Sequence, residues 1–353
     1  MQIEIKKTSH PRVKAPVAQL GFGKYFADHM FMLDYQDGKW QRPRIEPYGP
    51  LSLEPGACVL HYSQCLFEGQ KAFRTKSGKT LLFRPRFHAE RMAKGARRLC
   101  MPSVPEEDFL TAVRALVKLD ADWVPDSRGS SLYIRPTLIG TESFLGVRPA
   151  DKYSFFIISS PVGAYYAEGF NPVKIWVEEE FVRAAPGGLG AVKAGANYAA
   201  AMQASMAAKA RGFAQVLWLD AITHKQIEEV GTMNVFFRFK NEIVTPPLGG
   251  TILNGATRDC VIRLLQDWNY NVSERTLSID EVIAAHKSGD LLEAFGTGTA
   301  AVISPIGELS TKTQTMKLCP DGKAAELTQR LYNEITAIQY GEKADPYGWV
   351  EEL

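Results

Sequence analysis

A single lysine, Lys193, stands among glycines and alanines in the stretch GGLGAVKAGANYAAAMQ, residues 187–203. Gly187, Gly188, Gly190 and Gly195 surround it. An ammonium whose surroundings cannot solvate it gives up its proton more readily, and the neutral amine is the form that condenses with an aldehyde. The same lysine could instead snorkel from a loop to the surface. A second feature is IEEVGTMN, where Glu228 and Glu229 open an otherwise apolar strand. Strand side chains alternate faces, so one of the two points inward, unless both sit at an edge. A buried carboxylate needs a cation, and a protonated ring nitrogen would serve.

Two turns could hold an anion. GATRD, Gly255 to Asp259, precedes a helix whose first N–H groups, at Ala256 and Thr257, would point at a phosphate. GTGTAA, Gly296 to Ala301, offers N–H and hydroxyl donors from Thr297, Thr299 and Ala300. Neither contains G-x-x-x-x-G-K-[ST], GGLGAVKA lacks the glycine directly before its lysine, and no G-x-G-x-x-G loop is present. An amine, a carboxylate and two anion turns together suit pyridoxal phosphate: one group for the aldehyde, one for the ring nitrogen, two for the phosphate.

These residues need elements to carry them. The 353 residues are enough for two domains, and the apolar (45%) and charged (23%) fractions are those of a globular protein. A net charge of +2 gives no electrostatic case for nucleic acid or a membrane surface. Arg84, Arg86, Arg91, Arg97 and Arg98 have helical spacing, and most of them read as a solvated face. No stretch approaches the roughly 18 apolar residues of a membrane span, and the N-terminus is no signal peptide. The five cysteines form no C-x-x-C pair and the six histidines have no metal-ligand spacing, so reduced thiols, a cytoplasmic location and no metal site are expected.

Residues 1–160 read as a small α+β domain. Its first forty residues look irregular, ACVLHYSQCLFEGQKAFR reads as strand, turn or short helix, then strand, and FHAERMAKGARRLC and PEEDFLTAVRALVKLDADWVP read as helices. SSLYIRPTLIGT and KYSFFIISSPV read as strands. The Gly- and Pro-rich residues 161–172 read as a linker, and 173–353 as a larger cofactor-binding domain. There a helix spans about Tyr198 to Arg211 with Gly212 as its stop, strands cover AQVLWLD, EEVGTMNVFFRF and EIVTP, and Ser278 to Glu281 form a capping box. LLEAFGTGTAAVISPIGEL reads as two strands around a glycine turn, and GKAAELTQRLYNEITAIQYG as a closing helix.

Along nearly its whole length the chain resembles a fold-type IV pyridoxal-phosphate enzyme, specifically a branched-chain amino acid aminotransferase. The stretches that carry the resemblance are DHMF, HYSQCLFEGQKAF, LFRPRFHAERM, SLYIRPTLIGTE, SPVGAYY, VRAAPGGLGAVKAGANYA, QVLWLD, EEVGTMNVFF, GATRD and EAFGTGTA. The resemblance implies a mixed α/β, two-domain architecture with the active site in the cleft between domains, and a homodimer. It implies that Lys193 forms the Schiff base, that Tyr198 hydrogen-bonds the cofactor's phenolic oxygen, and that Glu229 holds the pyridine nitrogen. Arg91, Ala256, Thr257 and Thr299 would bind the phosphate. Thr299, Ala300 and Thr232 would take the substrate α-carboxylate, and Phe22, Tyr62, Phe67, Tyr133, Arg135 and Tyr165 would wall the side-chain pocket. The implied activity is reversible transfer of the amino group of leucine, isoleucine or valine to 2-oxoglutarate, giving the 2-oxo acid and glutamate. Arg135 would pair with the glutamate γ-carboxylate; the alternative is a structural ion pair that braces its strand. Some members carry C-x-x-C after GTGTA; here those positions are Ala301 and Ser304, so no thiol switch is expected. D-amino acid aminotransferases and aminodeoxychorismate lyases share the lysine and glutamate but are shorter and lack YIRPTLIG with GAYY. A cofactor-binding carrier without turnover is the reading from another class.

Overall fold

The computed structural model describes residues 1–163 and 170–353. Tyr165, expected on the pocket wall, and the middle of the expected linker lie outside the described residues. By contacts the chain forms two units. The first takes the described part of Met1–Ala167 together with Val192–Ala196 and Ala337–Leu353; the second takes the described part of Glu168–Ala191 and Asn197–Thr336.

The first unit is built on a nine-stranded sheet. The first forty residues, expected to be irregular, supply β1 (Glu4–Ile5) and β2 (His29–Gln36), and β3 (Lys39–Pro47) follows in the proline-punctuated stretch. β2 and β3 form a hairpin, and Asp37 and Gly38 take positive φ at its turn. ACVLHY, read as a strand, folds instead as helix α1 (Cys58–Tyr62), which ends where Ser63 turns left-handed. Then come β4 (Cys65–Phe67), β5 (Gln70–Arg74), β6 (Thr80–Phe83), helices α2 (Pro85–Arg98) and α3 (Glu106–Leu119), and strands β7 (Ser131–Gly140) and β8 (Tyr153–Val162). β7 pairs antiparallel with β8 along ten residues from Ser131↔Val162 to Gly140↔Tyr153, and with β4 and β5 on its other side. α3 buries Phe109, Val113, Leu116 and Val117, the stripe its 3.6-residue period predicts.

The second unit holds another nine-stranded sheet. It begins with β9 (Val173–Glu178); the run of glutamates ends the strand there. The helix expected over 198–211 is two helices, α4 (Gly195–Ala200) and α5 (Met202–Ala210), and Gly212 follows at φ +84°. Strand β10 (Gln215–Leu219) pairs with β11 (Ile227–Val230), and EEVGTMNVFFRF folds back at Gly231 into β12 (Asn234–Phe239). β13 (Ile243–Thr245), α6 (Ala256–Asp267), β14 (Val272–Glu274) and α7 (Ile279–Ser288) follow. The capping box is present: the Ser278 hydroxyl accepts from the Glu281 N–H at 3.1 Å. β15 (Leu291–Gly298) and β16 (Val302–Ser310) form the expected hairpin, joined through residues 299–301, and β17 (Thr315–Lys317) and α8 (Glu326–Gln339) close the unit.

The last strand, β18 (Val350–Glu352), returns to the first sheet and pairs with β6. The sequence boundaries place this terminus in the second domain. Its buried Trp349, stacked on Tyr347 and edge-on to Phe83, explains why it leaves.

Candidate active site

Lys193 lies in the short segment that ends at α4, and this segment belongs with the first unit. The Phe67 N–H donates to the Lys193 carbonyl at 3.1 Å, and Leu66 bridges Ala194. That bond and the single bridge tie the segment to β4. Its Nζ lies 5.1 Å from the centre of the Phe67 ring. The Arg135 guanidinium lies 4.6 Å from the same centre and 5.2 Å from that of Tyr133. Arg135 Nη2 donates to the Tyr133 hydroxyl at 3.1 Å, and Phe22 meets Tyr133 edge-on at 4.9 Å. Lys193, Phe67, Arg135, Tyr133 and Phe22 are thus one cluster. Among the described residues no carboxylate pairs with Arg135, and its Nε is buried without a partner. The brace reading of Arg135 therefore finds no ion pair to rest on.

Tyr62 ends α1, and its hydroxyl donates to the Leu145 carbonyl, away from this cluster. Gly69 was not singled out by the sequence, yet a Cβ there would sit 1.9 Å from the Tyr133 hydroxyl oxygen. Only glycine leaves that phenol its place. Lys71 stands opposite Tyr133 in register and shares its face of the sheet. Burial pushes its ammonium down to about 8.

Arg91 projects from α2 into a buried network. Its Nε and Nη2 donate to the two oxygens of Glu68 at 2.6 and 2.7 Å, and His88 Nδ1 lies 2.9 Å from the same carboxylate. Burial alone would raise the Glu68 pKa, but the Arg91 charge and hydrogen bonds, with His88, hold it well below the carboxylate range. Burial in turn pushes His88 down. Neither Glu68 nor His88 was read as functional; a buried partner for a fork-shaped arginine leaves no spacing signal.

In the second unit Tyr198, Glu229 and Thr232 line one small open cavity, with Arg183, Asn197, Ala201, Gly231 and Leu253. Glu229 is 2% exposed. Its Oε1 accepts from the Leu253 N–H at 2.7 Å and from Asn234 at 3.4 Å, and its Oε2 lies 3.0 Å from Arg183 Nε. The sequence expected an inward carboxylate and a missing cation. The chain itself supplies one, Arg183, and Glu228 is buried as well. Burial raises the Glu228 pKa, and its Oε2 has no partner.

Ala256 and Thr257 open α6 as expected, and no side chain caps this helix. Its first N–H groups have no intrahelical acceptor, which makes an anion site. Gly255 permits the approach of Asn234, whose Oδ1 would stand 2.1 Å from a Cβ there. Thr299 and Ala300 form the β15–β16 turn, and Val302 just after it takes φ +62°, a conformation costly for a β-branched side chain. Strain of this kind collects at binding turns. The donor set of the second unit fits pyridoxal 5'-phosphate: a buried carboxylate for a ring N–H, a phenol on the same cavity, and uncapped helix N–H groups for a phosphate dianion. The five cysteines form no disulfide among the described residues, which also hold no cluster of three metal-ligating side chains and no helix long and apolar enough to cross a membrane.

The chain matches the family of class IV amino-transferases over residues 66–309. It belongs to that family. It is 52% identical to branched-chain-amino-acid aminotransferase 2 of Bacillus subtilis (strain 168) over 352 residues, covering 99% of this chain and 97% of the relative. Its fold is similar to the crystal structure of the Escherichia coli branched-chain amino acid aminotransferase, with TM-score 0.76, 25% identity, and 92% and 98% of the two chains covered. The fold is also similar to that of the branched-chain amino acid aminotransferase from Thermobaculum terrenum in its PLP-form: TM-score 0.71, 22% identity, 91% and 97% covered.

Proposed function

We propose that this protein is a branched-chain-amino-acid transaminase, moving the amino group of leucine, isoleucine or valine reversibly to 2-oxoglutarate with pyridoxal 5'-phosphate as cofactor. The observation that carries the substrate reading is the cluster at Phe67. An amine, Lys193, and a guanidinium, Arg135, lie 5.1 and 4.6 Å from the centre of the same ring, with Tyr133 and Phe22 beside it. Rings accept a branched alkyl group, and the guanidinium with the Tyr133 hydroxyl accepts a carboxylate. One wall serves both substrates.

When bound, the cofactor supplies an aldehyde for the substrate amine and a ring that draws electrons from the substrate α-carbon. The Lys193 amine would hold and move the substrate α-proton. The Glu229 carboxylate would accept the ring N–H, and the Tyr198 phenol would donate to the ring oxygen. By family resemblance Arg91, the N–H groups of Ala256 and Thr257, and Thr299 would hold the phosphate. Thr299, Ala300 and Thr232 orient the α-carboxylate. Tyr62 and Tyr165 complete the side-chain pocket by family resemblance.

The deciding assay is transamination of leucine with 2-oxoglutarate; failure to form glutamate would overturn the reading. Borohydride treatment of the loaded protein should fix the pyridoxyl group to Lys193, and Lys193→Ala should abolish turnover. Label found on Lys209 or Lys225 would sink the lysine assignment. A cytoplasmic homodimer is part of this reading. Leu60, Leu145 and Val147 are 59%, 64% and 88% exposed, and a second copy would cover them. Light scattering on the purified protein checks this: a monomer at micromolar concentration rejects it.

A further inference from the structure

Arg183 carries no sign in the sequence, yet it ties together three segments of the second unit. It is 9% exposed. Its Nε lies 3.0 Å from Glu229 Oε2, Nη1 donates to the Thr251 carbonyl at 2.7 Å, and Nη2 donates to the Gly190 carbonyl at 3.2 Å. These partners belong to β11, to the loop that leads into α6, and to the glycine turn three residues before Lys193. The turn is fastened on both sides of that bond. The Ala191 N–H donates to the Gly250 carbonyl at 3.0 Å, and Asn197 Nδ2 donates to the Leu189 carbonyl at 2.8 Å. Gly190 is required there, because a Cβ would meet the Thr251 carbonyl oxygen at 2.2 Å and the Ala184 Cβ at 2.6 Å.

A buried guanidinium–carboxylate pair is a poor way to gain stability, since desolvation offsets much of the attraction and an apolar pair of similar volume does as well. What it supplies is direction. A carboxylate accepts along fixed lone-pair directions. Here Arg183, the Leu253 N–H and Asn234 fix the plane and tilt of the Glu229 carboxylate. The side chain so held lines the cavity beside Tyr198 and Thr232.

We propose that Arg183 is a positioning residue for transamination: its guanidinium keeps the Glu229 carboxylate aimed into the cavity, and its two carbonyl bonds set the path of the chain into Lys193. This rests on the assignment of Glu229 to the ring nitrogen. The two roles separate by substitution. Arg183→Lys keeps the charge but cannot fork to two carbonyls; Arg183→Met keeps bulk alone.

The test compares both variants with Glu229→Gln as purified, cofactor-free and reloaded proteins. Arg183→Met should weaken pyridoxal 5'-phosphate binding by about 30-fold or more, and should move the absorption band of the bound cofactor toward that of Glu229→Gln. Arg183→Lys should keep the wild-type band while turnover falls about tenfold, an order of magnitude common when a supporting hydrogen bond is lost. A lowered melting temperature with unchanged band and cofactor affinity in Arg183→Met would reduce Arg183 to a brace of the fold and overturn the proposal. If Arg183→Met does not fold, Arg183→Lys decides: unchanged turnover overturns, and reduced turnover with the wild-type band supports. An unaltered band and affinity in Glu229→Gln would overturn the Glu229 assignment itself, whatever the arginine variants do.

Discussion

Glu228 and Glu229 are chain neighbours with opposite circumstances. Glu229 has an arginine, an amide and an asparagine; Glu228 has burial as its largest influence, a weaker opposing one from Thr251 and Arg183, and one oxygen without a partner. A carboxyl raised by burial binds its proton more tightly in the folded chain than in the unfolded one. Its contribution is fully present below the ordinary value, 4.5, and is lost as pH rises through the raised folded value. Glu228→Gln should therefore raise the melting temperature at pH 8 and change it little at pH 4, with turnover within a few-fold of wild type. Glu229→Gln should cost on the order of 10²-fold in turnover, the size expected for a lost charge at a developing electronic centre. An inverse pattern in the two variants would reassign the inward residue. The sequence made the lysine and the EEVG carboxylates legible because a charge in an apolar setting is conspicuous. It left Arg183, Glu68 and His88 unread, because each is marked only by the residue it meets across the fold. Arg135 was read from resemblance, and its neighbours sharpen the expectation. Arg135→Met should weaken the glutamate half-reaction by roughly 2–5 kcal/mol and leave leucine far less affected; equal losses, measured in single half-reactions, would return it to a role in the fold.

At the scale of elements, periodicity was a good guide wherever an amphipathic face was long enough. α3 follows its pattern, because a 3.6-residue period matches a single buried face; β7 is buried on both faces along nearly its whole length and was legible as an apolar run instead. ACVLHY was misread because five residues of apolar character fit either geometry, and the helix is decided by the left-handed turn at Ser63. Short strands such as β14, β17 and β18 are set by the neighbours they pair with, which local propensity does not encode. Two glycines show the same non-local logic, Gly190 beneath the Thr251 carbonyl and Gly69 beneath a phenol. Gly69 exists for the Tyr133 hydroxyl, and Gly69→Ala should displace that phenol with the Arg135 bond it accepts. We expect the KM for both leucine and glutamate to rise at least tenfold in a protein that still folds. Unchanged KM values would mean that the β5–β7 pair can yield by more than an ångström.

At the scale of the molecule, the chain does not divide at a single point. The terminus that closes the first sheet does so through Trp349, 3% exposed, through the Arg84 N–H that donates to its carbonyl at 2.6 Å, and through Arg114, whose Nε and Nη2 donate to Glu351 at 2.5 and 3.0 Å. Removing residues 349–353 should cost on the order of 3–5 kcal/mol, the range for losing a buried tryptophan, and lower the melting temperature by several degrees; a truncated chain that melts like the full one would show the strand to be ornamental. The five residues Val192–Ala196 have their own lesson. Their contacts are with the first unit while the residues on either side belong to the second. A hybrid assembled with a related enzyme by one crossover near residue 170 would therefore inherit Lys193 from one parent and the Phe67 ring beside it from the other. Productive recombination has to move residues 192–196 and 337–353 as cargo of the N-terminal half, in three blocks rather than one.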